Sequence, residues 1–403
     1  MKDNIFRIFY SIFAVCLIGA NSLLAQNAAV KSPRVFLLNA RDLAEKKARK
    51  NDVKITNALV KLERDAQKAL KVEIASVNTK TANPPSGDKR DYMSQAPYFW
   101  KNPNTKDGFP YVRRDGERNP EIKRFPDHDL LDQMIETIDA LGVAYYFTEN
   151  EIYARRAAEI LRLWFVDEKT KMNPNLEFAQ AIPGLNTGRG IGIIETRNLT
   201  RVVDAIGLLE NSKSWSKTDQ KNLENWFDQY LTWLLSSKNG RDEAAAKNNH
   251  GTFYDVQVAS FALFVGKKDQ AKTILETAKT KRIAAQINQK GEQPLELERT
   301  KSWDYSVMNL DGLMQLAILG EAVGVDLWNF KNKESGSIKD AVDYLSQFVN
   351  NEKNWKHPQI EPLKIERFYP LVRRANRVFK NEKYSELSRK IAAPTDARSI
   401  LLP

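Results

Sequence analysis

Cysteine is almost missing: the single one, Cys16, lies near the start of a 403-residue chain. Once the leader that holds it is removed, no thiol remains, which excludes thiol catalysis, disulfide staples and thiolate zinc sites. Histidine is scarce too. Only His128, His250 and His357 occur, none at metal-ligand spacing from another, so a histidine-rich metal centre is excluded and no cofactor is expected. Alternating β-branched runs are few, which argues against a sheet protein. Long hydrophobic runs are lacking as well. The stretch from Ile8 to Ala20 is shorter than the ~20 residues of a spanning helix, and no later segment is longer. With Lys2 and Arg7 in its first part and small residues ending at Ala25, residues 1–25 read as a cleaved export signal, with a membrane anchor as the competing reading. Val15 directly before Cys16 disfavours a lipoprotein site. A periplasmic or secreted location is expected, and a thiol-free chain suits an oxidising compartment.

What is present is positive charge: 62 Lys and Arg against 51 Asp and Glu, a formal +11. That balance points to a polyanionic partner, or else to basic residues that merely solvate helix surfaces. No recognised nucleic-acid module occurs, so an acidic glycan is the better candidate than nucleic acid, and no membrane partner is expected after signal cleavage. Hydrophobic residues make up 42% of the chain, enough to give residues 26–403 one large core.

Apolar residues recur at helical spacing in segment after segment. From Asp127 to Tyr146, Leu131, Met134, Ile135, Ile138, Leu141 and Tyr145 form one stripe, with Asp127 or Asp129 available as N-cap. Similar stripes cover 151–166, 195–209, 218–235, 252–265, 271–285, 306–323, 338–349 and 384–391. Short polar loops between amphipathic helices favour antiparallel hairpins. The expected fold is all-α, an incomplete α/α toroid of helical hairpins whose inner ends form a groove. Two stretches break the rhythm: 76–126, with seven prolines, and 172–194. Loops of that length are expected to be functional, and Tyr92, Tyr98, Phe99, Trp100 and Tyr111 argue for order, as core or as a sugar platform.

His250 differs from the other histidines in its surroundings. It stands in KNNHGTFYD, a loop turning into a helix expected from Thr252, where the helix N-terminus keeps an imidazole neutral. An ordinary capping loop is the bland alternative. Fifty residues on, PLELERTKSWDYSVMNLDGL sets Arg299 and Tyr305 ahead of another strongly periodic helix. Together these groups match β-elimination on a uronate. Removing the C5 proton builds charge onto the sugar carboxylate, which Asn249 and Arg299 can hold with hydrogen bonds and positive charge. A base takes the proton and an acid protonates the departing glycosidic oxygen, roles open to Tyr305 and His250. A phenol, whose ordinary pKa is ~10, needs a cationic neighbour to act as base, and Arg299 is the candidate. In mannuronate and glucuronate the C5 hydrogen and the leaving oxygen share one side of the ring, so one phenol can serve twice. In guluronate they lie on opposite sides, which calls for His250 as base and Tyr305 as acid. No metal is required if side chains neutralise the carboxylate.

Five segments, DYMSQAPYFW, DGFPYVRRDG, NPNLEFAQAIPGLNTGRGIGIIE, NNHGTFYD and ERTKSWDYSVMNLDG, span about residues 90 to 320. In that order they resemble the alginate lyase superfamily, and most closely polysaccharide lyase family 38. The resemblance implies an α/α toroid and cleavage of an acidic glycan outside the cytoplasm. It places the family's Asn-His pair on Asn249 and His250, its carboxylate-neutralising arginine on Arg299 and its catalytic tyrosine on Tyr305. Tyr92, Trp100, Gln180, Arg189 and Tyr254 are implied as substrate contacts. One departure stands out: family 5 alginate lyases tend to carry a histidine directly after the catalytic tyrosine, whereas Ser306 stands here. Mannuronate-rich alginate is the first substrate expectation and glucuronan the second. A glycoside hydrolase using Glu195, Glu298 or Asp304, and a non-catalytic glycan-binding protein, are the readings of other classes.

Overall fold

Helices α3 (Asp127–Thr148), α5 (Leu199–Leu209), α8 (Asn249–Phe264) and α11 (Ser302–Glu321) are buried over most of their surface. A helix apolar on nearly every side must be walled in by others. The walls are α4 (Glu151–Phe165), α6 (Lys217–Ser236), α9 (Lys268–Ala278) and α12 (Ile338–Ser346), each burying one stripe and wetting the other face. Successive inner helices pack side by side, α3 on α5, α5 on α8, α8 on α11, and α11 on α13 (Tyr369–Phe379), which is backed by α14 (Glu382–Lys390). This is the incomplete α/α toroid expected from the periodicity. The computed structural model describes residues 32–402, and from Arg34 onward they pack as one unit. The leader expected over residues 1–25 lies outside the described residues. None of the described helices is long and apolar enough to cross a membrane.

The ring is tied across its open side by the chain ends. Helices α1 (Ala40–Ala48), α2 (Val53–Leu70) and α15 (Ala397–Leu401) gather there, α2 packing on both α3 and α15. Arg398 of α15 and Arg201 of α5 both pair with buried Asp139 of α3, while Arg377 of α13 pairs with Asp42 of α1. Asp204 of α5 accepts the backbone N–H groups of Phe36 at 2.6 Å, Leu37 at 3.0 Å and Leu38 at 2.7 Å, fixing the entry of the chain. Asp204→Ala strips three amides of their acceptor, so unfolding free energy should fall by roughly 2–4 kcal/mol in a denaturant titration. A loss below about 0.5 kcal/mol would mean water replaces the carboxylate without cost.

Helix boundaries differ from the expectation where function sits. Helix α8 begins at Asn249 rather than Thr252, because Asn248 caps it by accepting the His250 N–H. Helix α11 begins at Ser302 rather than Ser306, so Tyr305 belongs to its first turn. Neither Asp127 nor Asp129 caps α3. Pro126 precedes that helix, and the Asp127 carboxylate instead pairs with fully buried Lys80 and accepts the Met93 N–H. The two long loops carry short strands: β1 (Met93–Gln95) runs parallel to β4 (Phe178–Ala181), and β2 (Phe99–Trp100) antiparallel to β3 (Val112–Arg113). They are ordered walls of the groove.

Candidate active site

Two helix starts bring the chemistry together. Between α7 (Lys238–Ala244) and α8, the connecting loop is braced by Arg282, whose buried guanidinium pairs with Asp255 at 2.7 Å. Its remaining N–H groups reach the carbonyls of Ala246 at 2.6 Å and Ala244 at 2.8 Å, which fixes where Asn249 and His250 emerge. Helices α8 and α11 meet at Gly312. A Cβ there would sit 2.8 Å from the Thr252 methyl, so glycine sets their spacing. Ahead of α11, Asp115 holds the arriving chain. It accepts Arg299 Nε at 3.0 Å, Arg299 Nη2 at 2.8 Å and the Thr300 N–H at 3.3 Å. The next residue, Gly116, has φ +78°, and a Cβ would come within 2.5 Å of the Thr300 hydroxyl, a position only glycine fills without strain.

Asn249, His250, Arg299 and Tyr305 line one cavity of about 410 Å³. The His250 Nδ1–H donates to the buried Glu243 carboxylate at 2.7 Å. That bond selects the tautomer whose Nε2 is left as an acceptor. The Tyr305 hydroxyl donates to that of Tyr98 at 3.0 Å, and the Arg299 guanidinium lies 3.7 Å from the Tyr305 ring centroid. Burial, followed by Tyr98, pushes the Tyr305 phenol above its ordinary value, and Arg299 only partly opposes this. Arg299 eases deprotonation of Tyr305 only in part, because its charge is shared with Asp115 and burial outweighs it, so the phenolate that serves as base forms at a higher pH than in a free phenol.

Arg189 and Gln180 also line this cavity. Gln180 has φ +50°, a left-handed backbone in a non-glycine residue, a strain that structures retain chiefly where function needs it. It accepts Arg189 on its carbonyl at 3.2 Å and on Oε1 at 2.9 Å, aiming the guanidinium. Burial pushes Arg189 down to about 10, still charged at neutral pH. Arg197 is also driven below its ordinary value by burial, and it stands where the first cavity meets a second of about 780 Å³. Among the described residues neither Arg189 nor Arg197 has a carboxylate ion-pair partner. No three His, Cys, Asp or Glu side chains among the described residues gather as a metal site. The guanidinium and ammonium groups that line the groove give it fixed positive charge.

Three expected substrate contacts are elsewhere. Tyr92 is wholly buried, its hydroxyl donating to Glu195 at 2.7 Å. Tyr254 is buried on α8 and donates to the Leu234 carbonyl at 2.8 Å. Trp100 donates its indole N–H to the Glu117 carbonyl at 3.0 Å under the Arg114 guanidinium, outside both cavities. Of the loop aromatics singled out from the sequence, Tyr98 and Phe99 do line the groove, the latter beneath Arg189. Sequence reading named Tyr98 only as one aromatic of a loop, and it passed over Asp115, Glu243 and Arg197. Asp115 carried one signal, its place in a DG turn. The basic C-terminal part forms one wall of the second cavity through Lys364, Arg367, Arg373 and Arg374.

The alginate lyase family model matches residues 76–355. An alginate lyase from Bacteroides ovatus shares 36% identity over 92% of this chain and 99% of its own, with a TM-score of 0.89. Alginate lyase A1-III from Sphingomonas species A1 shares only the fold, at 16% identity over 93% of this chain and 97% of its own, with a TM-score of 0.58. A variant of A1-III complexed with a tetrasaccharide reaches a TM-score of 0.61 at 16% identity, covering 93% and 97%. No curated protein matches. The chain belongs to the alginate lyase family and is a polysaccharide lyase.

Proposed function

We propose that this lyase cleaves mannuronate-rich alginate by β-elimination, with glucuronan as the second candidate substrate, after export by the leader over residues 1–25. The observation that carries this reading is the convergence of Asn249, His250, Arg299 and Tyr305 on one cavity whose neighbours Arg189 and Arg197 are cations without carboxylate partners among the described residues. Asn249 and Arg299 hold the sugar carboxylate while a base, the Tyr305 phenolate on mannuronate or the His250 imidazole on guluronate, takes the C5 proton. The C4–O bond then breaks, the C4=C5 double bond forms and Tyr305 returns a proton to the leaving oxygen. Arg189 and Arg197 bind the carboxylates of flanking sugars.

A hydrolase would need two carboxylates across the bond. Glu298 is exposed outside both cavities, Asp304 is held by Arg367 and Gln359, and Glu195 is buried under two hydroxyl donors, so these three do not form such a pair. Digests of mannuronate-rich alginate, guluronate-rich alginate and glucuronan should gain the ultraviolet absorbance of an unsaturated uronate. Cleavage without that absorbance, or binding without turnover, would defeat the proposal. Arg197→Met should raise KM about tenfold and flatten the salt dependence of kcat/KM, with kcat changed far less.

A further inference from the structure

Behind Asn249 stands a carboxyl group that the reaction above leaves unused. Glu296, in the short helix α10 (Pro294–Leu297), is 1% exposed. Its Oε1 lies 2.6 Å from the Asn249 backbone nitrogen, and its two oxygens lie 3.0 and 2.8 Å from the Asn249 side-chain nitrogen. Asn249 is wholly buried at the wall of the cavity, and its Oδ1 is left with no hydrogen-bond partner among the described residues.

That arrangement points the wrong chemistry at a uronate. With its nitrogen turned to Glu296, the other end of the Asn249 amide is an unpartnered acceptor, and a substrate carboxylate is itself acceptor-only. Turning the amide by half a rotation exchanges oxygen and nitrogen at almost no steric cost, and the two orientations differ only in their hydrogen-bond partners. The turned form requires Glu296 to donate. A carboxylate has no proton to give; a carboxylic acid has one.

We propose that Glu296 is a positioning residue working as a neutral carboxylic acid. It accepts the Asn249 backbone N–H on one oxygen and donates its proton to the Asn249 side-chain oxygen, so that the amide nitrogen serves the substrate carboxylate. This rests on the uronate reading of the site. Burial supports it by pushing the Glu296 carboxyl above its ordinary value, against the hydrogen bonds from Asn249 and the nearby Arg299 and His250, the titratable groups that face it. In the neutral form no negative charge stands behind a carboxylate that gains charge as the C5 proton leaves.

Glu296→Gln keeps one acceptor and one donor in the same places, whereas Glu296→Ala keeps neither. The glutamine variant should stay within about fivefold of the native kcat/KM at neutral pH, and the alanine variant should lose on the order of 100-fold. The ratio of glutamine-variant to native activity should rise with pH, because only the native carboxyl can lose its proton. A glutamine variant as impaired as the alanine variant at an unchanged melting temperature would overturn the proposal. A second measurement needs neither variant nor turnover: an atomic-resolution crystal structure of the native protein should show unequal C–O bonds at Glu296 and the Asn249 nitrogen turned from it. Equal bonds would overturn the inference while leaving the lyase reading untouched.

Discussion

Tyr305→Phe should lower kcat by about 10³-fold, with KM within a few-fold of native, because the lost hydroxyl acts on the reacting atoms and not on the carboxylate. The hydroxyl donates to Tyr98, one hydrogen bond worth about 1 kcal/mol. The ring stays under the Arg299 guanidinium, so the melting temperature should barely move. Burial holds the phenol protonated in the free enzyme, which makes it a donor already in place when the C4–O bond begins to break. Single-turnover measurements separate this step from binding. A phenylalanine variant with more than a tenth of native kcat would mean that water or Tyr98 delivers the proton, and Tyr98→Phe would then become the damaging change.

The sequence made the helices legible because packing left two different prints. Outer helices such as α12 show a stripe, while α8 is apolar on nearly every side. Their starts were harder. Asn248 and Asn249 both suit a cap, and only the fold selects Asn248, since Asn249 is taken by Glu296. The four central residues were legible as chemistry, yet the groups that tune them were not. Asp115 meets Arg299 across 184 residues and Tyr98 meets Tyr305 across 207, separations at which no local pattern survives. Nor does composition say which aromatic faces the groove. Tyr92 and Tyr98 stand in the same loop, and the difference is that Glu195 captures the Tyr92 hydroxyl inside the core.

His250→Ala should separate the two uronates. On guluronate blocks the C5 hydrogen and the leaving oxygen lie on opposite faces, so a base other than Tyr305 is needed, and loss of the imidazole should cost on the order of 10³-fold in kcat. Glu243, by holding the Nδ1–H, is what presents Nε2 for that task. On mannuronate blocks Tyr305 can take the proton and give it back from one side, so the loss there should be at least about tenfold smaller. The pH profiles carry the same distinction. When the phenolate is the base, the active form is the deprotonated one. Burial has raised the pH at which it appears, so mannuronate cleavage should keep rising into the alkaline range. When the phenol is the acid it must keep its proton, and guluronate cleavage should not share that rise. Equal losses on both polymers, with parallel pH profiles, would assign His250 one common step and leave Tyr305 the same role on either stereochemistry.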